Sequence, residues 1–237
     1  MIHPLRDYER KVYSQNGQDG VIEQLYKMLD LPLKNSTFFE IGTQDGSECN
    51  TRYFRENYNW YGVMLDGGYQ KPNINLFQHF ITAENICYIL NRYNCPKYVN
   101  FLSIDIDYNT FYVLGSLLQE FTFDIIDAEY NSSYKTDWVV QYDPQGKWDG
   151  SNYFGASLQS FHMLLKDKGY SLVYTDANGA DAFWVKDHLA EKLDLPHIND
   201  TAKLYTPPRY GDGKGHPDDI FKRKGIKYHE AKKIFEA

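Results

Sequence analysis

The 237-residue chain has little of what marks several protein classes. It has three cysteines, Cys49, Cys87 and Cys95, an odd number with no Cys-x-x-Cys pair. That argues against a disulfide framework and against a thiolate zinc site, and makes a reducing compartment the default. No stretch is long and apolar enough to span a bilayer. The opening segment Met1-Ile2-His3-Pro4-Leu5-Arg6-Asp7 lacks the apolar run of a secretory signal, so the expectation is a cytoplasmic protein. Basic residues are in deficit, 25 Lys and Arg against 32 Asp and Glu, for a net charge of −7. A bulk nucleic-acid binder normally shows a basic face and is set aside. The Gly-x-Gly-x-x-Gly turn of dinucleotide binding is absent, which disfavours an NAD-dependent oxidoreductase. There is no internal repeat.

What is present fits one α/β domain with a sizeable core. The chain is 42% hydrophobic and 16% aromatic, with 21 Tyr and 14 Phe. Such aromatics either fill a core or offer stacking surface to a ring-shaped substrate. Helical periodicity covers residues 17–29, 110–120 and 157–168. Apolar runs at 36–41, 60–65, 77–81, 99–104 and 123–128 read as strands, and 171–175 with 182–186 as a closing strand pair. Alternating strands and helices predict a mostly parallel sheet with helices on both faces. Ligands of such folds bind beyond the carboxyl ends of the strands. Asp45, Asp66, Asp105, Asp107, Glu129 and Asn131 all stand at or just past predicted strand ends.

The most informative stretch is Phe38-Phe39-Glu40-Ile41-Gly42-Thr43-Gln44-Asp45-Gly46. It is a short strand, an acidic residue and a glycine-bounded turn. Glycine lets the backbone approach a ligand closely. An acidic turn without a phosphate cradle suits a ligand with a positive end. With Tyr13-Ser14-Gln15-Asn16-Gly17-Gln18-Asp19 upstream, Asn50-Thr51, Ser103-Ile104-Asp105-Ile106-Asp107 and Glu129-Tyr130-Asn131, the chain resembles the class I S-adenosylmethionine-dependent methyltransferases, within them the FkbM-like group. The resemblance covers roughly residues 12–190. It implies a Rossmann-like, seven-stranded, mostly parallel sheet with one antiparallel closing strand.

The resemblance also implies roles. Glu40 and Gly42 would face the methionine part of the cofactor, and Asp66 would accept hydrogen bonds from the ribose hydroxyls. Gln15 and Gln18 would close over cofactor or substrate. Thr82, Glu84 and Asn85 are candidates near the adenine, and Asp45, Gly46, Asn50 and Asp105 complete the expected cofactor set. One departure is Gly67-Gly68 after Asp66, where the family often has a proline.

Asp105 and Asp107 are two residues apart, as are Glu129 and Asn131, so each pair points to one side of an extended chain. Asp107, Glu129 and Asn131 form an all-oxygen set suited to Mg²⁺ or Mn²⁺, which would acidify an acceptor hydroxyl. The alternative is that these carboxylates bind cofactor or substrate without metal. The competing mechanism is a general base, Asp107 or His162. The loop 132–155 carries Trp148, Asp149, Tyr153 and Phe154, expected with Tyr130, Asp176 and Asn178 to bind substrate.

The expected function is O-methylation of a carbohydrate hydroxyl. The alternatives are a polyketide, lipid-linked or other small-molecule acceptor, or a non-catalytic module of the same fold. Residues 1–194 would form the methyltransferase domain. Residues 195–237 would be an extension with a Lys-rich helix from Asp218 to Glu236, either a solvated tail, a lid or a homodimer contact.

Overall fold

The computed structural model describes residues 3–236; Met1, Ile2 and Ala237 lie outside the described residues. Seven strands form one sheet: β1 Thr37–Ile41, β2 Tyr61–Asp66, β3 Leu76–Gln78, β4 Tyr98–Ile104, β5 Thr122–Glu129, β6 Tyr170–Thr175 and β7 Asp181–Lys186. Their order is β3-β2-β1-β4-β5-β7-β6. Pairing is parallel except along β7, which runs antiparallel to both β5 and β6. The mostly parallel sheet is what the sequence pattern predicts, and the seven strands with one antiparallel are what the resemblance implies. The strand order reverses between β1 and β4, where open α/β sheets place their ligand crevice.

The central strands are nearly continuous apolar runs because helices cover both faces. On one face Phe38, Phe101, Ile125 and Phe183 pack with Val21, Ile22 and Leu25 of α1 (Gln18–Met28) and Phe54 of α2 (Arg52–Tyr58). On the other, Phe39, Leu102, Ile126 and Trp184 meet α3 (Ile86–Arg92), α4 (Thr110–Glu120) and α5 (Leu158–Asp167). Ser157 begins α5 with its hydroxyl accepting from the Ser160 N–H, a side-chain cap. Periodicity did not announce α2 and α3. Each is two turns long, too short for a clear apolar stripe.

The first face also carries polar rows at its carboxyl edge. Register pairs Glu40 with Ser103, and Ser103 with Asp127. One pleat further on, β5 and β7 set Glu129 opposite Asp181. Buried acidic residues therefore continue the same face that lower down is apolar.

The chain after β7 departs from the expected long helix. Residues 218–227 carry no helix, and only two single-turn helices follow, α8 (Tyr228–Ala231) and α9 (Lys233–Glu236), after α6 (Asp187–Ala190) and α7 (Thr201–Leu204). Lys222 takes a left-handed backbone (φ +51°), which interrupts any helix there, and Gly225 follows it in a tight contact. A Cβ on Gly225 would lie 2.2 Å from the Trp138 ring, so the backbone is pressed flat against that side chain. Ile226 then bridges to Val139.

Candidate functional site

A cavity of about 500 Å³ opens at the carboxyl ends of β1, β2, β4 and β5. Its floor is the turn after β1. Gly42 has φ +87°, and a Cβ there would fall 1.5 Å from the Asp105 carbonyl oxygen. The turn is held from both sides. Gly42 N–H donates to the Leu65 carbonyl, and Asp105 N–H to that of Ile41, each at 2.9 Å.

Asp66, at the end of β2, accepts from the Gln44 and Gly68 N–H groups, both at 2.7 Å. One bond on each oxygen leaves further acceptor capacity toward the cavity. Beyond it the wall is His79, Phe80 and Ile81. Thr82 and Asn85, expected near the adenine, sit just behind that wall. Asn85 Oδ1 accepts from Thr82 N–H and its Nδ2 donates to the Phe80 carbonyl, both at 2.9 Å, which fixes the wall without lining it. Glu84 accepts from the Tyr142 hydroxyl at 2.6 Å.

Asp45 and Gly46 shape the turn from outside. Asp45 pairs with Lys71 at 2.9 Å and accepts from Ser47, and these hydrogen bonds hold its carboxyl below the usual range. Both residues border a separate surface cleft. Glu40 accepts from Asn50 N–H (2.6 Å), Thr51 N–H (3.1 Å) and the Thr51 hydroxyl, anchoring the start of α2. Burial raises its pKa against those bonds. Asn50 Nδ2 reaches Ser103 Oγ (3.0 Å) and Asp127 Oδ2 (2.7 Å), and Gln18 Nε2 donates to Asp181. Gln18, Glu40 and Asn50 line a smaller cavity behind Gly42, whereas Gln15 lines both cavities.

Asp105, Asp107 and Glu129 bring carboxylate oxygens within 4.8 Å of one another. Asp107 has φ +58° and its N–H approaches Asp105 Oδ1 at 3.4 Å. Asp105 opens to the cavity yet is ringed by protein. Burial, reinforced by the Asp105 charge, pushes Asp107 up to about 7. Burial and the two neighbouring charges push Glu129 up as well, and burial raises Asp105. Glu129 Oε2 is buried with no hydrogen-bond partner. Three clustered carboxylates cannot all ionise unless a cation joins them.

Asn131 does not belong to this group. It is fully buried: Nδ2 donates to the Asn152 and Phe154 carbonyls (2.8 Å each) and Oδ1 accepts from Ser133 N–H (3.0 Å). β5 ends at Glu129, so the two-residue alternation no longer applies beyond it. Asp105 takes the third place. His162 is also displaced from its expected role. It lies buried on α5 and lines neither the main cavity nor the smaller one behind Gly42, and burial lowers its pKa.

Of the expected substrate residues, Trp148 lines the main cavity. Tyr130 is buried, its hydroxyl donating to the Thr206 carbonyl at 2.8 Å. Tyr153 is buried under Arg223, whose guanidinium lies 4.2 Å from its ring centroid, and lines a different cleft. Asp149 pairs with Arg223 at 2.5 Å. Phe154 is buried behind His216. Asp176 accepts from the Ala180 and Asp181 N–H groups and so closes the β6–β7 turn; burial pushes it up to about 6. Asn178 donates to Asn16 Oδ1 at 2.9 Å, tying that turn to the N-terminal segment.

The cavity-wall residues that sequence reading missed include Asn16, Gln44, His79, Phe80 and Ile81 and, furthest along the chain, Tyr210 and His216. The last two come from the segment after β7. His216 packs among Trp148 (4.5 Å between centroids), Tyr210 (5.0 Å) and Phe154 (5.5 Å), and burial lowers its pKa. The segment is strapped to the 142–155 loop: Asn152 N–H donates to the Pro217 carbonyl, and Arg223 bridges Asp149 and Asp219. No local pattern signals this contact, which joins residues more than sixty positions apart.

Comparison with protein-family models and with curated proteins gives no match. Among solved structures, a protein of Listeria monocytogenes provisionally described as an S-adenosylmethionine-dependent methyltransferase matches 69% of this chain and 96% of its own, at 13% identity and TM-score 0.41. The N-terminal domain of EvdMO1, solved with S-adenosylhomocysteine and D-fucose, matches over 71% and 82% at 12% identity and TM-score 0.43. The methyltransferase MycE, solved with Mg, S-adenosylhomocysteine and mycinamycin VI, matches over 72% and 52% at 14% identity and TM-score 0.38. Two proteins provisionally described as hemolysins match as well. The strand order and the antiparallel β7 give the chain the Rossmann-like sheet found in methyltransferases.

Proposed function

We propose that the chain is an S-adenosylmethionine-dependent O-methyltransferase acting on a carbohydrate hydroxyl, with a divalent metal held by Asp105, Asp107 and Glu129. The observation that carries this reading is the single cavity joining Gly42, Asp66 and the three carboxylates at the reversal of strand order. Asp66 would hold the ribose hydroxyls and Phe80 and Ile81 the adenine. Gly42 leaves room for the methionine end to pass.

The donor set fits the metal: three carboxylates, one with an orphaned buried oxygen, suit a hard ion such as Mg²⁺ or Mn²⁺. When bound, the ion would lower the pKa of an acceptor hydroxyl. The remaining chemistry belongs to this chain. The acceptor oxygen loses its proton and attacks the methyl carbon in line; the C–S bond breaks and its electron pair returns to sulfur. The sulfonium is already activated, so alignment is the main task. The imidazoles of His216 and His79 line the cavity with pKa values that burial lowers, and either could receive the proton; Asp107, pushed up to about 7 by burial, would take that role only where no metal binds. Trp148 and Tyr210 line the cavity and would pack on the apolar side of a sugar. The second reading is a polyketide, lipid-linked or other small-molecule hydroxyl as acceptor.

The test is calorimetry with S-adenosylmethionine in EDTA, then in Mn²⁺ or Mg²⁺, with a panel of free and nucleotide-linked sugars. Metal-dependent acceptor binding supports the proposal. Cofactor binding with no metal effect moves the mechanism to a protein base, and no cofactor binding leaves a non-catalytic module.

A further inference from the structure

The chain after β7 presents two adjacent apolar side chains to solvent. Ile220 is 82% exposed and Phe221 71%, the two most exposed large apolar residues among those described. Neither packs into the two apolar clusters of the fold. Scattered exposed apolar residues are ordinary on a protein surface, but a neighbouring pair held this far out asks for a partner.

The tip that carries the pair is built, not slack. Asp219 lies buried beneath it and accepts from the Phe221 N–H (3.0 Å) and the Arg223 N–H (2.7 Å). Asp219 N–H in turn donates to Asn152 Oδ1 at 3.0 Å. Lys222 N–H donates to the Asp219 carbonyl, with Lys222 in the left-handed region at φ +51°. That conformation is unfavourable outside glycine, and the fold maintains it. Arg223 fastens the tip to the 142–155 loop through Asp219 and Asp149. The turn therefore holds Ile220 and Phe221 away from the core.

The tip is also basic. Residues 214–233 carry seven Lys and Arg against three Asp and Glu, in a chain of net charge −7. Lys222, Lys224 and Lys227 are exposed, and among the described residues none of them pairs with a carboxylate. Lys227 donates to the Asp137 carbonyl at 2.7 Å, which leaves its charge in place. Asp219 is taken up by Arg223, and Asp218 accepts from Asn152. Arg223 and Lys224 also border the open cleft of about 480 Å³ beside Tyr153, which leaves room for a phosphate headgroup next to the tip.

An apolar pair ringed by unpaired lysines, on a chain that is otherwise acidic, has the chemistry of an interfacial anchor. The apolar pair suits the acyl boundary of a bilayer. The lysines suit anionic headgroups, with their stems lying along the interface. A protein partner fits less well, because two adjacent side chains offer far less area than a stable interface buries. We propose that Ile220 and Phe221 form a wedge by which the chain docks reversibly on an anionic bilayer surface, with Lys222, Lys224 and Lys227 against the headgroups. His216 stands on the same strap and lines the main cavity, so docking ties one wall of that cavity to the lipid surface. The proposal does not depend on the cofactor reading.

The test is co-sedimentation of the whole chain with vesicles of phosphatidylcholine alone and of phosphatidylcholine with about 30% phosphatidylserine, at low salt and at about 0.5 M NaCl. The expected result is binding to the anionic vesicles at low salt, and binding at least about tenfold weaker to neutral vesicles or at high salt. Ile220→Ser combined with Phe221→Ser should weaken binding at least about tenfold at an unchanged Tm. Lys222→Ala combined with Lys224→Ala should weaken it roughly tenfold on anionic vesicles and little on neutral ones. Phe221→Trp keeps an apolar ring and should bind like the wild type, with a larger vesicle-induced blue shift of emission. Absence of binding to either vesicle would overturn the proposal. So would anionic-vesicle binding untouched by the serine variant, which would leave a basic patch without a wedge. A wild-type dimer in analytical ultracentrifugation that the serine variant dissolves, with no vesicle binding, would instead assign the pair to a contact between copies of this chain.

Discussion

The two halves of the main cavity are built differently. The half around Gly42 and Asp66 is made of strand ends and tight turns, fixed by backbone hydrogen bonds within a few residues of β1, β2 and β4. The half around Trp148, Tyr210 and His216 is made of two loops, strapped together by Arg223 and by single hydrogen bonds. A strand-end site is rigid and tolerates little change. A loop-built wall adapts by exchanging side chains and places little load on the fold. Substitutions should therefore hurt the first half more than the second.

The largest effect is expected at Gly42. Gly42→Ala would put a Cβ onto the Asp105 carbonyl at a φ of +87°. The left-handed backbone alone costs about 1–2 kcal/mol, and the clash adds to it. Thermal unfolding should show a lowered Tm, and calorimetry the loss of S-adenosylhomocysteine binding. A fully stable, cofactor-binding variant would refute the rigid-turn account.

Next comes the carboxylate triad, read through pH. An unfolded aspartate releases its proton near 4, whereas folded Asp107 holds its own up to about 7. Between these values the folded state holds more protons at Asp107, so its contribution to metal-free stability falls as pH rises from about 4 to about 7, by at most ~1.4 kcal/mol per pH unit, and the raised Asp105 and Glu129 act in the same direction. Glu129→Gln removes a second carboxyl whose pKa burial and the Asp105 and Asp107 charges raise, and should flatten this slope in denaturant titrations run in EDTA. It should also abolish any stabilisation by Mn²⁺. An unchanged slope would contradict the coupling of these groups.

A smaller effect is expected for Arg223→Ala in the loop-built half. Its ion pairs with Asp149 and Asp219 are partly exposed, and such pairs contribute about 0–1 kcal/mol. Cofactor affinity should stay unchanged while limited proteolysis within 142–155 accelerates. Loss of cofactor binding would show that the two halves are not separable. The smallest effect belongs to Asp45→Asn, since Asp45 faces Lys71 outside the cavity. Cofactor affinity should move by no more than about twofold.

The same contrast explains what could be read from the sequence. The strands and the turn at Gly42 follow from local periodicity and glycine placement, and β1, β4, β5 and α4 appear where the pattern puts them. Asp105, Asp107 and Glu129 were readable as strand-end acids. Asn131 was misplaced because the end of β5 breaks the two-residue rule by which it was chosen. Thr82 and Asn85 were chosen by position after β3, but β3 is only three residues long and the wall begins earlier, at His79. Tyr153 and Phe154 are aromatic for packing, not for display. Tyr210 and His216 reach the cavity through tertiary contacts that leave no periodic trace. Asp127 and Asp181 were hidden within strands, where register alone reveals that they share a face with Glu40.

The most direct test of the central claim is a calorimetric titration of wild type and Asp66→Ala with S-adenosylhomocysteine. The account predicts one-site binding to the wild type, weakened at least tenfold in the variant, because the ribose acceptor and the clamp on Gln44 and Gly68 are lost together. Equal affinity in both proteins, or no binding to the wild type, would contradict it.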